Sequence, residues 1–244
     1  MPLVYDWRMP IPAPSPDARA VVTGASQNIG EALATELAAR GHSLIVTARR
    51  EALLTELAAR LTDKYRVAVE VRPADLADQE ERTKLCDELA ERHISILCAN
   101  AGTGTFGPLA SLDPVGEKAQ VQLNAVAVHD LTLAVLPDMV ERKAGGILIS
   151  GSAAGNSPIP YNATYAATKA FANTFSESLR GELRGPVCMS RCWHPDRCVP
   201  TYPTRPRRRW STGWCRSSCG SRRSTPPGYR WMPWSATKCV WFRA

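Results

Sequence analysis

The segment Ala18-Arg-Ala-Val-Val-Thr-Gly-Ala-Ser-Gln-Asn-Ile-Gly30 decides the fold that the sequence predicts. Its first half is a short apolar run typical of a buried strand, and its second half is a turn rich in small residues. Residues 31–40 then carry Leu33, Ala34 and Leu37 at helical spacing. A strand, a glycine-rich turn and a helix in this order are typical of a site that holds a dinucleotide pyrophosphate at a helix N-terminus.

The pattern of strand and helix continues through the next 150 or so residues, as a doubly wound fold requires. Further strands are predicted at 44–47, 67–71, 94–99 and 145–150. Helical segments are predicted at 51–64, as a pair within 112–142, and at 165–184. This alternation predicts an α/β protein with a doubly wound parallel sheet, the Rossmann architecture, over residues 18–186.

Turns that follow the predicted strands supply the candidate cofactor site, because ligands bind at the carboxyl ends of strands in such sheets. Asp75 and Leu76 lie where an acid and a backbone group could meet an adenine edge, although Asp75 could equally cap the helix that follows. The candidate cofactor residues are Gly24, Ser26, Asn28, Ile29, Gly30, Arg49, Arg50, Asp75, Leu76, Asn100, Ala101, Gly102, Tyr165 and Lys169.

The end of the second strand indicates which cofactor is bound. An NAD site usually places an acid there to bond the ribose 2′-hydroxyl. Here the strand ends Thr47-Ala-Arg-Arg50, and the first acid is Glu51. A guanidinium suits a 2′-phosphate, so the sequence favours NADPH over NAD, with Arg49 as the leading contact and Arg50 as the second. The alternative is a pair of exposed arginines at a helix start.

Tyr165-Ala-Ala-Thr-Lys169 and the upstream Ser152 are the candidate catalytic residues. An unperturbed Tyr titrates near ~10, and a Lys four residues later on the same helix face favours the phenolate. Ser152 follows the strand at 145–150 and could hold a carbonyl oxygen beside the phenol. Asn124 lies among apolar residues, where a buried amide is either satisfied in place or used in function.

Together these motifs resemble the short-chain dehydrogenase/reductase family over residues 18–185. The resemblance rests on Thr23-Gly-x-x-x-Asn-Ile-Gly30, Asp75-Leu76, Asn100-Ala-Gly102, Asn124, Ser152 and Tyr165-x-x-x-Lys169. It implies one doubly wound domain with a seven-stranded parallel sheet. The chain departs from the family at Asn28, where the family has glycine. Asn tolerates a left-handed φ better than other non-glycine residues, so the turn can survive.

The resemblance also implies roles. Tyr165 would protonate the alkoxide formed on ketone reduction, and Lys169 would lower the Tyr pKa and hold the nicotinamide ribose. Ser152 would orient the carbonyl, Asn124 would anchor a water of the proton relay, and residues 158–161 would line the substrate cleft, with Tyr161 as a wall.

The sequence is similar to actinobacterial members of the family assigned as mycolate reductases. This similarity implies that the protein uses NADPH to reduce a lipid or 3-oxoacyl ketone to a secondary alcohol. The alternatives are a non-catalytic NADPH-binding regulator of the same fold and an inactive product of a shifted reading frame. The resemblance further suggests a homo-oligomer formed through the long helices, provided that the C-terminus is intact.

Residues 187–244 differ sharply in composition from the rest of the chain. They hold 12 Lys and Arg against the single acid Asp196, six of the eight Cys and six of the seven Trp. The Cys and His spacings match no strong zinc pattern, so we expect no metal, and a basic nucleic-acid-binding tail is the less favoured interpretation.

A shifted reading frame explains this composition better. Regrouped one base earlier, codons for residues 187–201 are compatible with V-H-V-T-V-L-A-P-G-P-V-R-T-D, a strand and turn that resemble the family's sixth strand. We therefore expect a frameshift near Gly185, loss of the sixth and seventh strands, disorder or poor packing over 187–244, and little activity of the chain as written.

Residues 1–17 are a proline-rich lead-in, with Met1 or Met9 as the start. The sequence shows neither an apolar signal-peptide core nor an unbroken run of about 18 apolar residues, so we expect a cytoplasmic protein without a transmembrane helix.

Overall fold

A computed structural model describes residues 11–183 and the backbone of two short strands at 191–193 and 239–242. The strands are β1 (Arg19–Thr23), β2 (Leu44–Thr47), β3 (Val69–Val71), β4 (Ile94–Ala99), β5 (Gly146–Ser150), β6 (Arg191–Trp193) and β7 (Cys239–Phe242). The α-helices are α1 (Asn28–Ala39), α2 (Glu51–Tyr65), α3 (Gln79–Ala90), α4 (Pro114–Val121), α5 (Ala127–Glu141) and α6 (Ala163–Glu182). A π-helical turn (Gln122–Val126) joins α4 to α5, and short 3₁₀ helices occupy Leu109–Ser111 and Ala153–Asn156.

The sheet has the order β3-β2-β1-β4-β5-β7-β6. Strands β1 to β5 pair in parallel, which confirms the predicted doubly wound fold. The strand order reverses between β1 and β4, since β2 and β3 lie on one side and β5 on the other. The crevice at such a switch point is where doubly wound sheets bind ligands.

The far edge of the sheet differs from the family pattern. β7 pairs antiparallel with β5, and β6 pairs antiparallel with β7. The expectation of seven parallel strands is therefore wrong for the last two. The parallel part of the sheet ends at β5, as the expected loss of the sixth and seventh strands implies. The sheet itself continues beyond β5 with two short antiparallel strands. The rest of 187–244 lies outside the described residues, so its predicted disorder and the frameshift stay predictions.

Both faces of β1, β2, β4 and β5 are largely buried, as their mostly apolar sequences predict, whereas the edge strand β3 is half-buried. Successive side chains of a strand point to opposite faces. Ile147 accordingly packs in a cluster with Leu131 and Met139 of α5, whereas Leu148 packs in a second cluster with residues of α1 and α2. Cys98 is fully buried in that second cluster, where it packs as a small apolar residue.

The helical stretch from Pro114 to Glu141 is continuous through the π-helical turn. Of the described residues, this stretch alone is long and apolar enough to cross a membrane by length and composition. The sequence prediction of no such helix rested on the lack of an unbroken apolar run. Core helices of globular domains meet the same criteria, and Leu131, Val135 and Met139 of this stretch are in the core.

Candidate active site

The turn between β1 and α1 is built around two close backbone approaches. Gly24 has φ +66°, and a Cβ added there would lie 3.0 Å from the Cα of Ala101. A Cβ on Gly30 would lie 2.1 Å from the carbonyl oxygen of Gly24. Only glycine fits at both positions, because the added atoms would meet backbone that cannot move aside independently. The first turn of α1 is thereby held directly against the strand end.

Asn28 begins α1 with φ 52°, in the left-handed region. The turn therefore keeps the backbone conformation that a glycine would adopt easily, as the sequence predicted for an asparagine at this position.

A hydrogen-bonded network joins this turn to the turn after β4. The hydroxyl of Thr23 accepts hydrogen bonds from the backbone amides of Asn100 and Ala101, both at 2.9 Å. The side-chain amide of Asn100 donates to the Thr23 carbonyl, and Ser150 donates to Asn100 Oδ1 at 3.0 Å. The sequence placed Thr23 in the turn motif and Ser150 at a strand end, but it assigned neither residue to the site. The available signal was a hydroxyl residue at the last position of a strand that feeds the site.

These turns enclose a cleft of about 460 Å³ at the switch point. Its lining includes every predicted cofactor residue except Gly30, Tyr165 and Lys169; Gly30 instead packs behind the turn. The lining residues that sequence analysis missed are Gln27, Ala48, Ala74 and Leu123. Three of these four are neighbours of predicted residues, whereas Leu123 comes from the π-helical turn.

Basic side chains flank one end of the cleft. Arg50 donates to the Ser26 hydroxyl at 3.0 Å, and Arg49 lies 3.9 Å from the carboxylate of Asp75. The Arg49 side chain is 74% exposed, so it can turn toward a ligand in the cleft. The cap of α3 is Asp78, whose side chain accepts from Glu81 N, so the alternative role of Asp75 as the cap is wrong.

Lys169 is the central residue of a group that we call the catalytic corner, comprising Asn124, Ser152, Tyr165 and Lys169. The Lys169 side chain is buried, and its Nζ donates to the carbonyl oxygen of Ser150 at 2.7 Å. The same Nζ lies 5.8 Å from the centroid of the Tyr165 ring. The structure therefore brings the predicted phenol and ammonium together at the carboxyl end of β5.

Ser152 is buried, and hydrogen bonds with a residue of α6 hold its backbone in place. Its backbone N–H donates to Asn173 Oδ1 at 3.3 Å, and Asn173 Nδ2 donates back to its carbonyl at 2.9 Å. Asn173 was missed by sequence analysis, although it lies one helical turn beyond Lys169 on the same face of α6. These bonds fix the backbone of Ser152 next to the helix that carries Tyr165.

Asn124 is fully buried in the π-helical turn. Its Oδ1 accepts from Thr103 N at 3.0 Å, and its Nδ2 donates to Thr103 O at 2.7 Å and to Thr168 Oγ1 at 3.1 Å. The buried amide is thus satisfied in place, which was the simpler of the two predicted outcomes. It ties the segment after Gly102 to α6, and π-helical turns of this kind frequently occur at functional sites. The water-anchoring role stays a prediction.

Tyr161, predicted as a wall of the substrate cleft, lies in the loop before α6 with 59% of its surface exposed. Its ring centroid is 6.3 Å from that of Phe106, which is 57% exposed. Gly107 N donates to the Tyr161 carbonyl at 2.7 Å, so the two loops are joined. Phe106 had no signal in the sequence, since a single aromatic residue in a loop fits many roles.

Comparison with known proteins agrees with this architecture. A family model described as short chain dehydrogenase matches residues 18–187. The very-long-chain 3-oxoacyl-CoA reductase of Laccaria bicolor is 39% identical over 68% of this chain and 51% of its own length. Sulfoacetaldehyde reductase 2 of Chromohalobacter salexigens is 37% identical over 68% of this chain and 66% of its own. The chain thus spans about half to two thirds of the length of such relatives.

Two solved structures are similar over the same region. A short-chain dehydrogenase from Sphingobium yanoikuyae in complex with NADPH has a TM-score of 0.66 at 37% identity, covering 68% of this chain and 65% of that one. The bulky-bulky ketone specific alcohol dehydrogenase from Comamonas testosteroni has a TM-score of 0.66 at 35% identity, covering 68% and 67%. The chain belongs to the short-chain dehydrogenase family.

Proposed function

We propose that the protein is an NADPH-dependent oxidoreductase that reduces a lipid-like ketone to a secondary alcohol. The observation that carries the proposal is the catalytic corner, in which the buried Lys169 ammonium lies beside Tyr165 at the strand end that also presents Ser152. The corner adjoins the cleft, because a Cβ on the cleft residue Gly102 would lie 3.5 Å from Lys169 Nζ. A phenol, a hydroxyl and a cation next to a dinucleotide-sized cleft suit proton transfer to a carbonyl oxygen.

The residues of the cleft fit NADPH. Gly24 and Gly30 let the strand end, the turn and the first turn of α1 pack closely together. The N-terminus of α1, where Asn28 and Ile29 line the cleft, can therefore offer its N–H groups to a pyrophosphate. Arg49, Arg50 and Ser26 would hold the 2′-phosphate through charge-assisted hydrogen bonds. The similar Sphingobium structure, which contains NADPH, supports this choice. When bound, the cofactor supplies the hydride.

The residues of the catalytic corner supply the proton that the carbonyl oxygen gains in the reduction. Ser152 donates a hydrogen bond that orients the carbonyl oxygen, and the Tyr165 hydroxyl transfers its proton to that oxygen as negative charge develops. The resulting phenolate is favoured by the nearby Lys169 ammonium, since an opposite charge favours the ionised form of a group. The Ser150 carbonyl keeps Lys169 in place by accepting its hydrogen bond.

A 3-oxoacyl group is the substrate class that we propose. Relatives named very-long-chain 3-oxoacyl-CoA reductase support it, at 39% and 34% identity. The exposed Phe106 and Tyr161 rings offer an apolar surface to an acyl chain in the loops near the corner. A 2-alkyl 3-oxoacyl mycolate precursor is the most specific form of this proposal, and its support is sequence similarity.

The test uses the purified full chain with NADPH or NADH and a series of 3-oxoacyl thioesters of increasing length. The proposal predicts cofactor oxidation that rises with chain length, in contrast to the little activity expected from a shifted reading frame. It also predicts an NADPH Kd at least about tenfold below that for NADH. Changing both Arg49 and Arg50 to Ala should abolish the preference, whereas Arg40→Ala, an exposed arginine paired with Glu36, should preserve it. Equal affinity for the two cofactors, or no oxidation with any thioester, would contradict the proposal.

A further inference from the structure

Arg82 of α3 is a charged residue inside the protein, with only 4% of its side chain exposed. Its Nε donates to Asp130 Oδ2 at 2.8 Å, its Nη1 to the Leu76 carbonyl at 2.9 Å, and its Nη2 to Gln122 Oε1 at 3.1 Å. A buried charge is costly unless it is paired and hydrogen-bonded. All three nitrogens of this guanidinium are satisfied, so its burial is supported by the surrounding structure.

Two partners of Arg82 lie in segments that line the cofactor cleft. Leu76 lines the cleft from the segment after β3. Gln122 is the first residue of the π-helical turn, and the next residue, Leu123, also lines the cleft. Asn124 follows directly and bonds to Thr103 and Thr168. One side chain therefore connects the cleft wall at Leu76 with the turn that carries a member of the catalytic corner.

The π-helical turn needs such support from outside the helix. A π turn is rare and holds more residues per turn than an α-helix. A one-residue change in register would rotate Leu123 and Asn124 by about 100° around the helix axis. The hydrogen bond from Arg82 to Gln122 holds the first residue of the π-helical turn. The hydrogen bond from Arg82 to Asp130 holds the first turn of α5, which follows the π-helical turn.

We propose that Arg82 is a positioning residue that couples the cofactor cleft to the catalytic corner. It sets the spacing of the Leu76 and Leu123 walls and, through the π-helical turn, the placement of Asn124. An arginine is required because its planar fork donates in three directions, which a lysine ammonium on a flexible stem does not reproduce. This inference rests on the proposed function in its use of the cleft for NADPH, but its structural part does not.

Arg142 provides a matched control. It also pairs with a carboxylate, Asp138 at 2.6 Å, and donates to the carbonyls of Ile94 and Ala144 at 3.0 and 3.1 Å. Its contacts lie at the end of α5 and at the amino ends of β4 and β5. The cleft lies at the carboxyl ends of the strands, so these contacts are at the opposite end of the sheet. Replacing it by lysine removes a comparable set of bonds without touching Leu76 or Gln122.

The experiment compares Arg82→Lys with Arg142→Lys in the full chain without ligand, by hydrogen–deuterium exchange. We expect Arg82→Lys to raise exchange by about tenfold in both 74–78 and 122–126, as for the loss of a hydrogen bond to a charged group. Arg142→Lys should leave both segments unchanged. A rise confined to α3, or equal rises in the two variants, would show that Arg82 serves packing alone.

NADPH binding, followed by the fluorescence of the cofactor, provides the functional readout. The Kd should rise about tenfold for Arg82→Lys and by less than about twofold for Arg142→Lys. If the protein without substitutions binds no NADPH, the proposed function is wrong. The hydrogen–deuterium exchange comparison would still show whether Arg82 couples the two segments. If Arg82→Lys does not fold, Gln122→Ala removes only one contact. Gln122→Ala should raise exchange in 122–126 and the NADPH Kd, and an unchanged result in both would overturn the proposal.

Discussion

The cofactor cleft and the catalytic corner lie at the same edge of the sheet but are built in different ways. The cleft depends on backbone approaching backbone, as at Gly24 and Gly30, where a Cβ would meet main-chain atoms. The corner depends on buried polar side chains, such as Lys169 and Asn124, that bond to main-chain groups. The cleft should therefore fail when volume is added, and the corner when one polar group is removed.

Tyr165→Phe is the change with the largest expected effect on this comparison. It removes only the hydroxyl of a half-buried residue, so we expect kcat to fall by about 10²- to 10⁴-fold while the NADPH Kd stays within about twofold. Steady-state kinetics and cofactor binding measure the two quantities. Tyr161→Phe is the control, and its exposed hydroxyl should change kcat by less than about threefold. Equal losses in both variants would mean that the phenol of the corner is wrongly assigned.

Gly30→Ala tests the other half of the comparison. The added methyl would lie 2.1 Å from the Gly24 carbonyl oxygen, so the turn must move. We expect the free energy of unfolding to fall by about 2–3 kcal/mol and NADPH binding to weaken at least about tenfold. Urea denaturation and fluorescence titration measure these effects.

Gly181→Ala in α6 is the matched control for Gly30→Ala. A Cβ there would have no atom of the described residues within 4 Å. Because alanine favours a helix over glycine, this change should stabilise the protein by up to about 1 kcal/mol. A stability loss at Gly181 similar to that at Gly30 would contradict the role given to close packing in the turn.

The sequence predicted the main residues of both regions, but it predicted contacts between residues only where those contacts are local. Glycine and asparagine at fixed offsets after a strand encode a local backbone path, so the turn could be placed from the sequence of 18–30 alone. The hydrogen bonds from Asn173 to Ser152 and from Ala101 to Thr23 join residues 21 and 78 positions apart. Such pairings depend on tertiary structure and leave no local signal.

The edge strands show the same limit more strongly. Arg191–Trp193 and Cys239–Phe242 are short and lack a clear alternating pattern. Their antiparallel pairing brings together segments separated by more than forty residues of the chain. The family resemblance implied two parallel strands at this edge, and the proposed frameshift implied that both are lost. The structure instead has two short antiparallel strands.

Glu70→Gln changes stability at a distance from both regions. Glu70 lies in β3 and pairs with Arg92 and Arg19 near the amino ends of β4 and β1, opposite the cleft. A hydrogen bond from Arg92 and a weaker contribution from Arg19 lower the pKa of Glu70 to about 2, although partial burial acts to raise it. The pKa in the folded state lies below that in the unfolded state, so the carboxylate stabilises the protein above about pH 4.5. This contribution is lost as the pH falls toward 2.

We therefore expect Glu70→Gln to lower the free energy of unfolding by roughly 2 kcal/mol at pH 7, allowing for partial solvent screening. The difference from the unchanged protein should shrink as the pH falls from about 4.5 toward 2. Denaturation at several pH values measures it. The NADPH Kd at pH 7 should stay within about twofold, since neither region is touched. A weaker NADPH affinity would show that the two ends of the sheet are coupled.

Asn28→Gly has the smallest expected effect and separates two properties of that residue. Glycine adopts the observed φ of 52° freely but has more conformational freedom in the unfolded chain, so the two terms oppose each other. We expect a stability change below about 1 kcal/mol and an NADPH Kd within about threefold. Asn28→Ala keeps a Cβ in the left-handed region without the amide, so it should be the less stable variant by about 1 kcal/mol. If both variants weaken NADPH binding equally, the amide itself contacts the cofactor. In that case the turn at Asn28 is a place where the cleft, like the corner, depends on a polar side chain.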